Sequence, residues 1–153
     1  MRSTSRNCRV TDDCIFCRIV AAEAEASIAY QDEATIAFMD LGQFHPGHSL
    51  VVPRQHIVNI FALDDTTGAA LMSAVTRVAR AVHEAFGPDG INIWQSNGAP
   101  WQEVDHVHFH ILPRWKDDGL LRFPPPREKP SRAELDSQAA KIRAALESPA
   151  GSQ

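Results

Sequence analysis

Asp105-His106-Val107-His108-Phe109-His110-Ile111-Leu112-Pro113-Arg114 decides the reading of this chain. Within it His106, His108 and His110 alternate with Val107, Phe109 and Ile111, and alternation at period 2 predicts a half-buried β-strand whose successive side chains leave opposite faces. The apolar set then packs into the core and the three imidazoles line the other face. One histidine on a strand is ordinarily a surface or hydrogen-bonded residue; three in register opposite an apolar stripe are hard to account for by packing. Imidazole titrates near neutrality unperturbed and serves as metal ligand, general base or nucleophile. The row therefore predicts a metal triad, a covalent catalyst, or a mixture of the two.

The segments around this row give the fold. Upstream, Ile91-Asn92-Ile93-Trp94-Gln95 reads as a strand and Ser96-Asn97-Gly98-Ala99-Pro100 as a turn, so the two strands are expected to be antiparallel neighbours. The longest helix signal starts near Asp64-Asp65-Thr66 and stops at Gly87-Pro88, with Leu71, Val75, Val78, Ala79, Val82 and Phe86 as its apolar stripe. His83 on that helix reads as a surface or boundary residue. Ile28 and Tyr30, then Ile36, Phe38 and Asp40, alternate about Gln31-Asp32-Glu33 and suggest a hairpin. A loop follows over residues 42–47, then a third strand over residues 48–53. An Asp12-Asp13 pair can cap a short helix that begins with Cys14-Ile15-Phe16-Cys17.

Residues 1–12 read as a polar tail, residues 13–115 as the folded domain, and residues 116–153 as an arm and helix. The arm contains Phe123-Pro124-Pro125-Pro126, and Ser131-Arg132-Ala133-Glu134 is a capping-box pattern ahead of Leu135, Ala139, Ile142 and Leu146. With 153 residues and 44% hydrophobic content, one domain with an ordinary core suffices. A net charge of −4 argues against a nucleic-acid partner. The basic N-terminal residues run into Thr11-Asp12-Asp13 rather than an apolar stretch, so no secretory signal is expected, and no apolar run approaches membrane-spanning length. A cytoplasmic protein without a membrane partner is the expectation, and its three cysteines then read as thiols or metal ligands.

Cys14 and Cys17 have the spacing of half a zinc site, and no second cysteine pair completes it. Histidines must supply the rest: six of the seven lie within residues 45–56 or 106–110. The competing reading is a redox pair, but the strand that precedes such a motif in thioredoxin-like chains is missing here.

Taken together, Cys14-Ile15-Phe16-Cys17, Ala37-Phe38-Met39-Asp40, residues 47–56, Gln102 and His106-Val107-His108-Phe109-His110-Ile111-Leu112 resemble the histidine triad (HIT) family of nucleotide hydrolases and transferases, in its zinc-containing, bacterial-type branch. The family signature is His-φ-His-φ-His-φ-φ with φ apolar, and the run from His106 to Leu112 matches it throughout. The resemblance implies an α+β fold, an antiparallel sheet with one long and one short helix, normally paired as a homodimer that extends the sheet. It implies cleavage at the α-phosphate of a nucleoside phosphoramidate or dinucleoside polyphosphate, a purine nucleotide being preferred. His108 would be the nucleophile, His110 and His48 phosphate donors, and Gln102 a contact to the phosphate or bridging atom. Asp40 would take the ribose hydroxyls, and Phe16, Phe38 and Leu41 the base, although core packing is the other reading of the two phenylalanines. A polar substrate contact would fall on Asn97, with Gln95 and Ser96 as the other candidates. Cys14, Cys17, His56 and His106 would hold a structural zinc with no open position.

The chain departs from the family at Trp101-Gln102-Glu103, where glycine usually precedes the glutamine and Ser or Thr follows it. A carboxylate stands where a hydroxyl is proposed to help the leaving group. The alternative function is therefore a zinc-stabilised nucleotide-binding or partner-binding module with little turnover. His45 matches no family position and reads as loop surface.

Overall fold

The computed structural model describes residues 13–120 and 130–147; the expected tail over 1–12 and the proline run at 124–126 lie outside them. Five strands, β1 (Ile28–Gln31), β2 (Thr35–Met39), β3 (Ser49–Pro53), β4 (Gly90–Trp94) and β5 (Phe109–Arg114), form one sheet in the order β1-β2-β3-β5-β4, every pair antiparallel. A short helix α1 (Ile15–Val20) precedes the sheet, and a long helix α2 (Asp65–Phe86) connects β3 to β4. The expected α+β architecture, with one short and one long helix on an antiparallel sheet, is present.

Local chemistry accounts for the elements. Asp32 closes the β1–β2 hairpin by accepting from the Ala34 and Thr35 amides and from the Thr35 and Tyr30 hydroxyls, at 2.7–3.0 Å. Asp64 caps α2 by accepting from the Thr67 amide at 2.9 Å, and Gly87 ends the helix in the left-handed conformation at φ 58°. Between β2 and β3, Gly47 turns at φ +96°, and the Phe86 ring lies so close that a Cβ there would sit 2.8 Å from it.

Side-chain alternation along the strands feeds two cores. Ala37, Val51, Val107 and Ile111 pack under Leu71, Ala74, Val75, Val78 and Val82 of α2. On the opposite face, Ile36, Phe38, Leu50 and Val52 pack with Cys14, Phe16, Cys17 and Ile19 of α1 and its entry. Phe86, at the end of the expected α2 stripe, is 42% exposed and rests instead against Gly47.

Three local features differ from the expectations. The sheet ladder begins only at Phe109, because the Val107 amide donates to the Ile57 carbonyl at 2.7 Å instead of to β3. His106 and His108 thus precede the ladder, although the alternation of faces continues through them. The imidazole face is not solvated: His106 and His108 are buried beneath α1. The residue that starts α1 is Cys14, with no side-chain cap bond, rather than an aspartate cap; its sulfur turns inward, toward His106.

The compact unit containing the sheet ends at Asp118, three residues beyond the expected boundary, because the Arg114 guanidinium and the Trp115 amide both bind the Asp118 carboxylate. A second unit starts at Gly119 and contains α3 (Arg132–Glu147). Its start is the expected capping box: the Ser131 amide and hydroxyl donate to Glu134 Oε2, each at 2.7 Å, and the Glu134 amide donates to Ser131 Oγ at 3.3 Å. Among the described residues no helix is long and apolar enough to cross a membrane.

Candidate functional site

Cys14, at the entry to α1, and Cys17, one turn into it, meet His106 at the start of the histidine run and His56, three residues after β3. His106 Nδ1 lies 3.5 Å from Cys14 Sγ and 3.6 Å from Cys17 Sγ, and His56 Nδ1 lies 3.2 Å from Cys17 Sγ. Sulfur and nitrogen ligands of a tetrahedral zinc ion stand about 3.5 Å apart, so these spacings fit a Cys₂His₂ metal site. His106 Nε2 is 2.9 Å from the Pro53 carbonyl, to which it donates, leaving the Nδ1 lone pair facing the sulfurs. Burial, with smaller contributions from His56 and His108, pushes His106 down to about 4 and keeps it neutral, as a ligand must be. The four residues expected to share a metal are thus brought together.

His108 lies beside this cluster. Its Nδ1 is 2.7 Å from the His106 carbonyl, which can only accept, so Nδ1 carries the proton and Nε2 keeps a lone pair. Phe16 meets the rings of both His106 and His108 edge-on, with centroids 5.9 and 5.2 Å apart, and packs on Phe38. Both phenylalanines belong to the core under α1. Leu41 is fully exposed and shares no slot with them.

His110 pairs with His48: His110 Nδ1 lies 3.0 Å from His48 Nε2. Asp40 Oδ2 approaches the same atoms, at 3.5 Å from His48 Nε2 and 3.7 Å from His110 Nδ1. The register produces this meeting. Leu50 faces His110 across β3–β5, Phe38 faces Leu50 across β2–β3, and the Asp40 amide donates to the His48 carbonyl. Burial, then the neighbouring His108 and His48, pushes His110 down to about 4, with Asp40 opposing the shift. Burial lowers His48 too, again against Asp40.

Gln102 and Asn97 are engaged elsewhere. Gln102 is buried; its Oε1 accepts from the Gly98 amide at 3.0 Å, and its Nε2 donates to the Val58 and Val104 carbonyls. Asn97 Oδ1 accepts from the Ile60 amide at 2.8 Å, and its amide pairs with that of Gln95. Both residues bind the loop before the histidine run to the segment over 58–60. Glu103 is exposed.

Two aromatic contacts escaped the sequence reading. The Trp94 ring stacks on His110 at 4.4 Å and 3°, and Phe44 stacks on His48 at 5.6 Å and 21°. Trp94 sits directly opposite His110 in the β4–β5 register, which no periodicity along a single segment reveals. His45 is not loop surface. Its ring meets Trp115 edge-on at 5.4 Å, and its Nε2 lies 3.2 Å from Asp118 Oδ2, though outside hydrogen-bond geometry.

A family model described as the HIT domain matches residues 21–117. The solved structure of a HIT family member from Bacillus subtilis superposes with a TM-score of 0.83 at 34% identity, covering 89% of this chain and 99% of that one. A zinc-bound histidine triad family protein from Mycobacterium smegmatis superposes with a TM-score of 0.68 at 34% identity, covering 88% and 98%. A curated relative from Schizosaccharomyces pombe, named an adenosine 5′-monophosphoramidase, is 36% identical over 102 residues, 66% of this chain and 74% of that protein. Matched by the family model over more than half its length and by a solved member over nearly all of both chains, the present chain belongs to the HIT family.

Proposed function

We propose that the protein hydrolyses or transfers a nucleotide at its α-phosphate through a nucleotidyl-His108 intermediate, with a nucleoside phosphoramidate or a dinucleoside polyphosphate as substrate and a purine as the preferred base. The observation that carries this reading is the bond between His108 Nδ1 and the His106 carbonyl, which fixes the tautomer with Nε2 free to attack. The name of the fission-yeast relative supports the phosphoramidate.

In the first step the His108 Nε2 lone pair forms a bond to the α-phosphorus. The bond from phosphorus to the leaving nitrogen or oxygen breaks, and its electron pair departs with the leaving group, which takes a proton from solvent. In the second step water attacks phosphorus and gives a proton to solvent, the P–N bond breaks with its electron pair returning to Nε2, and the nucleotide leaves with His108 restored. His110 donates a hydrogen bond to a phosphate oxygen as charge moves onto it. His48, buried with its Nε2 against His110, acts by holding His110 rather than by reaching substrate. Asp40 accepts from the ribose hydroxyls, and Leu41 lies against the base. Gln102, Asn97 and Phe16 are positioning residues: the first two fix the loop before the histidine run, and Phe16 fixes the rings of His106 and His108.

Cys14, Cys17, His56 and His106 hold zinc in this reading, with four protein ligands and no open position. When bound, the ion supplies cross-linking: it ties the start of α1 and the segment after β3 to the peptide whose carbonyl orients His108. The zinc-bound relative from Mycobacterium smegmatis supports this assignment. A cytoplasmic homodimer that continues the sheet through β4, where Ile93 is 45% exposed, completes the proposal.

The second reading, a nucleotide- or partner-binding module with little turnover, draws on Glu103, an exposed carboxylate at the family's hydroxyl position. Incubation with an adenosine phosphoramidate and with diadenosine polyphosphates, followed by phosphorus NMR, separates the two. Hydrolysis by the wild type, reduced at least about a thousandfold in His108→Asn while nucleotide binding persists, is the expected result. Binding of both substrates with hydrolysis of neither overturns the enzyme reading in favour of the module.

A further inference from the structure

The face of the sheet opposite the imidazoles carries a cavity of about 220 Å³, between the C-terminal half of α2 and strands β1–β3. Val78, Val82 and Phe86 wall it, and the small residues Gly47, Ala81 and Ala85 keep it open. Phe86 closes one end against Gly47, where a Cβ would stand 2.8 Å from its ring. Strand alternation separates this cavity from the nucleotide site: Leu50 packs under α1, whereas Val51, and with it Ser49, faces α2.

Two polar groups interrupt the apolar lining, one at each end. Arg77 and Tyr30 line the first end. The hydrogen bond to Asp32 raises the Tyr30 phenol, and the Arg77 charge nearby opposes the rise. Tyr30 gives its hydroxyl to Asp32 at 2.7 Å, and Asp32 is taken up by four donors in all. Arg77 is exposed and has no ion-pair partner among the described residues. Ser49, two residues from Gly47, lines the other end; it is 1% exposed, and its Oγ meets no hydrogen-bond partner. A buried hydroxyl left in that state costs free energy that a ligand oxygen recovers. Arg77, Ala81 and Ala85 follow one another by helical turns, so the α2 wall runs for about 12 Å.

We infer that this cavity binds a small organic acid, with its carboxylate on Arg77, its apolar body along Ala81 and Val82, and an oxygen at its far end on Ser49. An apolar cavity of about 150 Å³ accepts a benzene ring, so this one accepts roughly nine non-hydrogen atoms, enough for a ring, a short tether and one oxygen. The guanidinium is the fork that a carboxylate outside that body matches. A cationic ligand meets Arg77 with the wrong sign, and a hydrocarbon leaves both ends unmatched. The site shares no residue with the nucleotide-handling set and stands whether or not His108 turns nucleotide over.

Calorimetric titration of the full-length protein with 3-(4-hydroxyphenyl)propionate tests it, with 3-phenylpropionate and 3-phenylpropan-1-ol as the acids and alcohols that lack one end or the other. The hydroxyphenyl acid should bind most tightly. Arg77→Gln should weaken it at least about tenfold and leave the alcohol unchanged. Ser49→Ala should bring it down to the affinity of 3-phenylpropionate, a loss of about threefold or more. Ala81→Leu, which fills the cavity from an exposed helix position, should abolish binding of all three, and an unchanged amide spectrum of α2 shows that each variant is folded. No binding by the wild type overturns the site, and so does binding of equal strength in Arg77→Gln and Ala81→Leu. Amide shifts at Ala29, Ala81 and Ala85 that move when the free protein is diluted, and not when the acid is added, assign the groove to a second copy of the chain and overturn it as well.

Discussion

The two faces of the sheet are built on different physics. Under α2, Ala37, Val51, Val107 and Ile111 meet Leu71, Val75, Val78 and Val82, a contact of hydrocarbon on hydrocarbon whose stabilisation scales with the area removed from water. Under α1, a six-residue helix covers a face that buries His106 and His108, with His48 and Gln102 buried nearby. Each of those polar groups costs free energy unless a named partner meets it. The apolar face holds under any condition that leaves water outside. The imidazole face is conditional on ligands, tautomers and pH, and the same conditions make it chemically useful.

Removing one metal ligand should break that contrast most sharply. In Cys17→Ser the buried Cys₂His₂ group loses a sulfur that faces both His56 and His106. The expected cost is several kcal/mol, on the order of 3–5, because structural metal binding is folding free energy. Urea unfolding with and without chelator measures it: chelator should lower the wild-type midpoint and leave Cys17→Ser unmoved. A wild type indifferent to chelator would sink the metal reading. Leu71→Ala, at a fully packed position under α2, should cost about 2–4 kcal/mol. That loss should be the same with metal or without it; dependence on metal would mean that the two faces are not separable.

A smaller effect belongs to the loop before the histidine run. Gln102→Leu leaves the Gly98 amide and the Val58 carbonyl without their partner, while the Val104 carbonyl keeps the His106 amide, at a cost of about 1–3 kcal/mol. Hydrogen exchange reads it locally: the Gly98 amide should lose its protection while amides of α2 keep theirs. Unchanged exchange at Gly98 would reassign Gln102 from holding the loop to contacting substrate.

The apolar face was legible in the sequence because it depends on periodicity alone. The spacing from Leu71 to Val82 and the alternation of Val107 with Ile111 determine which residues are buried, whatever lies opposite. The Cys14, Cys17, His56 and His106 set was legible for another reason: spacing marked Cys14 and Cys17 as half a zinc site, and the resemblance to the HIT family, not elimination, picked His56 and His106 from six candidate histidines. The contacts between strands were not legible. Trp94 stacks on His110, and Asp40 reaches His48 and His110, only once register and strand order are known. Gln102 shows the converse, a motif residue whose position was plain and whose buried amide is taken up by backbone. His45 looked like loop because Trp115 and Asp118, the groups it meets, lie some seventy residues away in sequence.

The subtlest test of the imidazole face is its pH dependence. Burial holds His110 at about 4 in the folded chain, against 6.5 for a free imidazole. As pH falls through 6.5 the unfolded chain takes up a proton that the folded chain refuses, so the unfolded state gains. Stability is thus flat above about pH 7, falls between about pH 6.5 and about 4, and levels off below the folded value. The groups facing His110 are His108, His48 and Asp40: the two histidines push its pKa down and the carboxylate pushes it up. His110→Gln should therefore flatten the decline, and Asp40→Asn, by removing the one group that favours the protonated ring, should leave it in place between pH 7 and 5 and carry it further below about 4. Urea midpoints at pH 7, 6 and 5, with one equivalent of zinc throughout, cancel the acid release of the cysteine site, which all three proteins share. Parallel pH profiles for wild type and His110→Gln would place the decline outside this ring, and the imidazole face would then be as insensitive to acid as the apolar one.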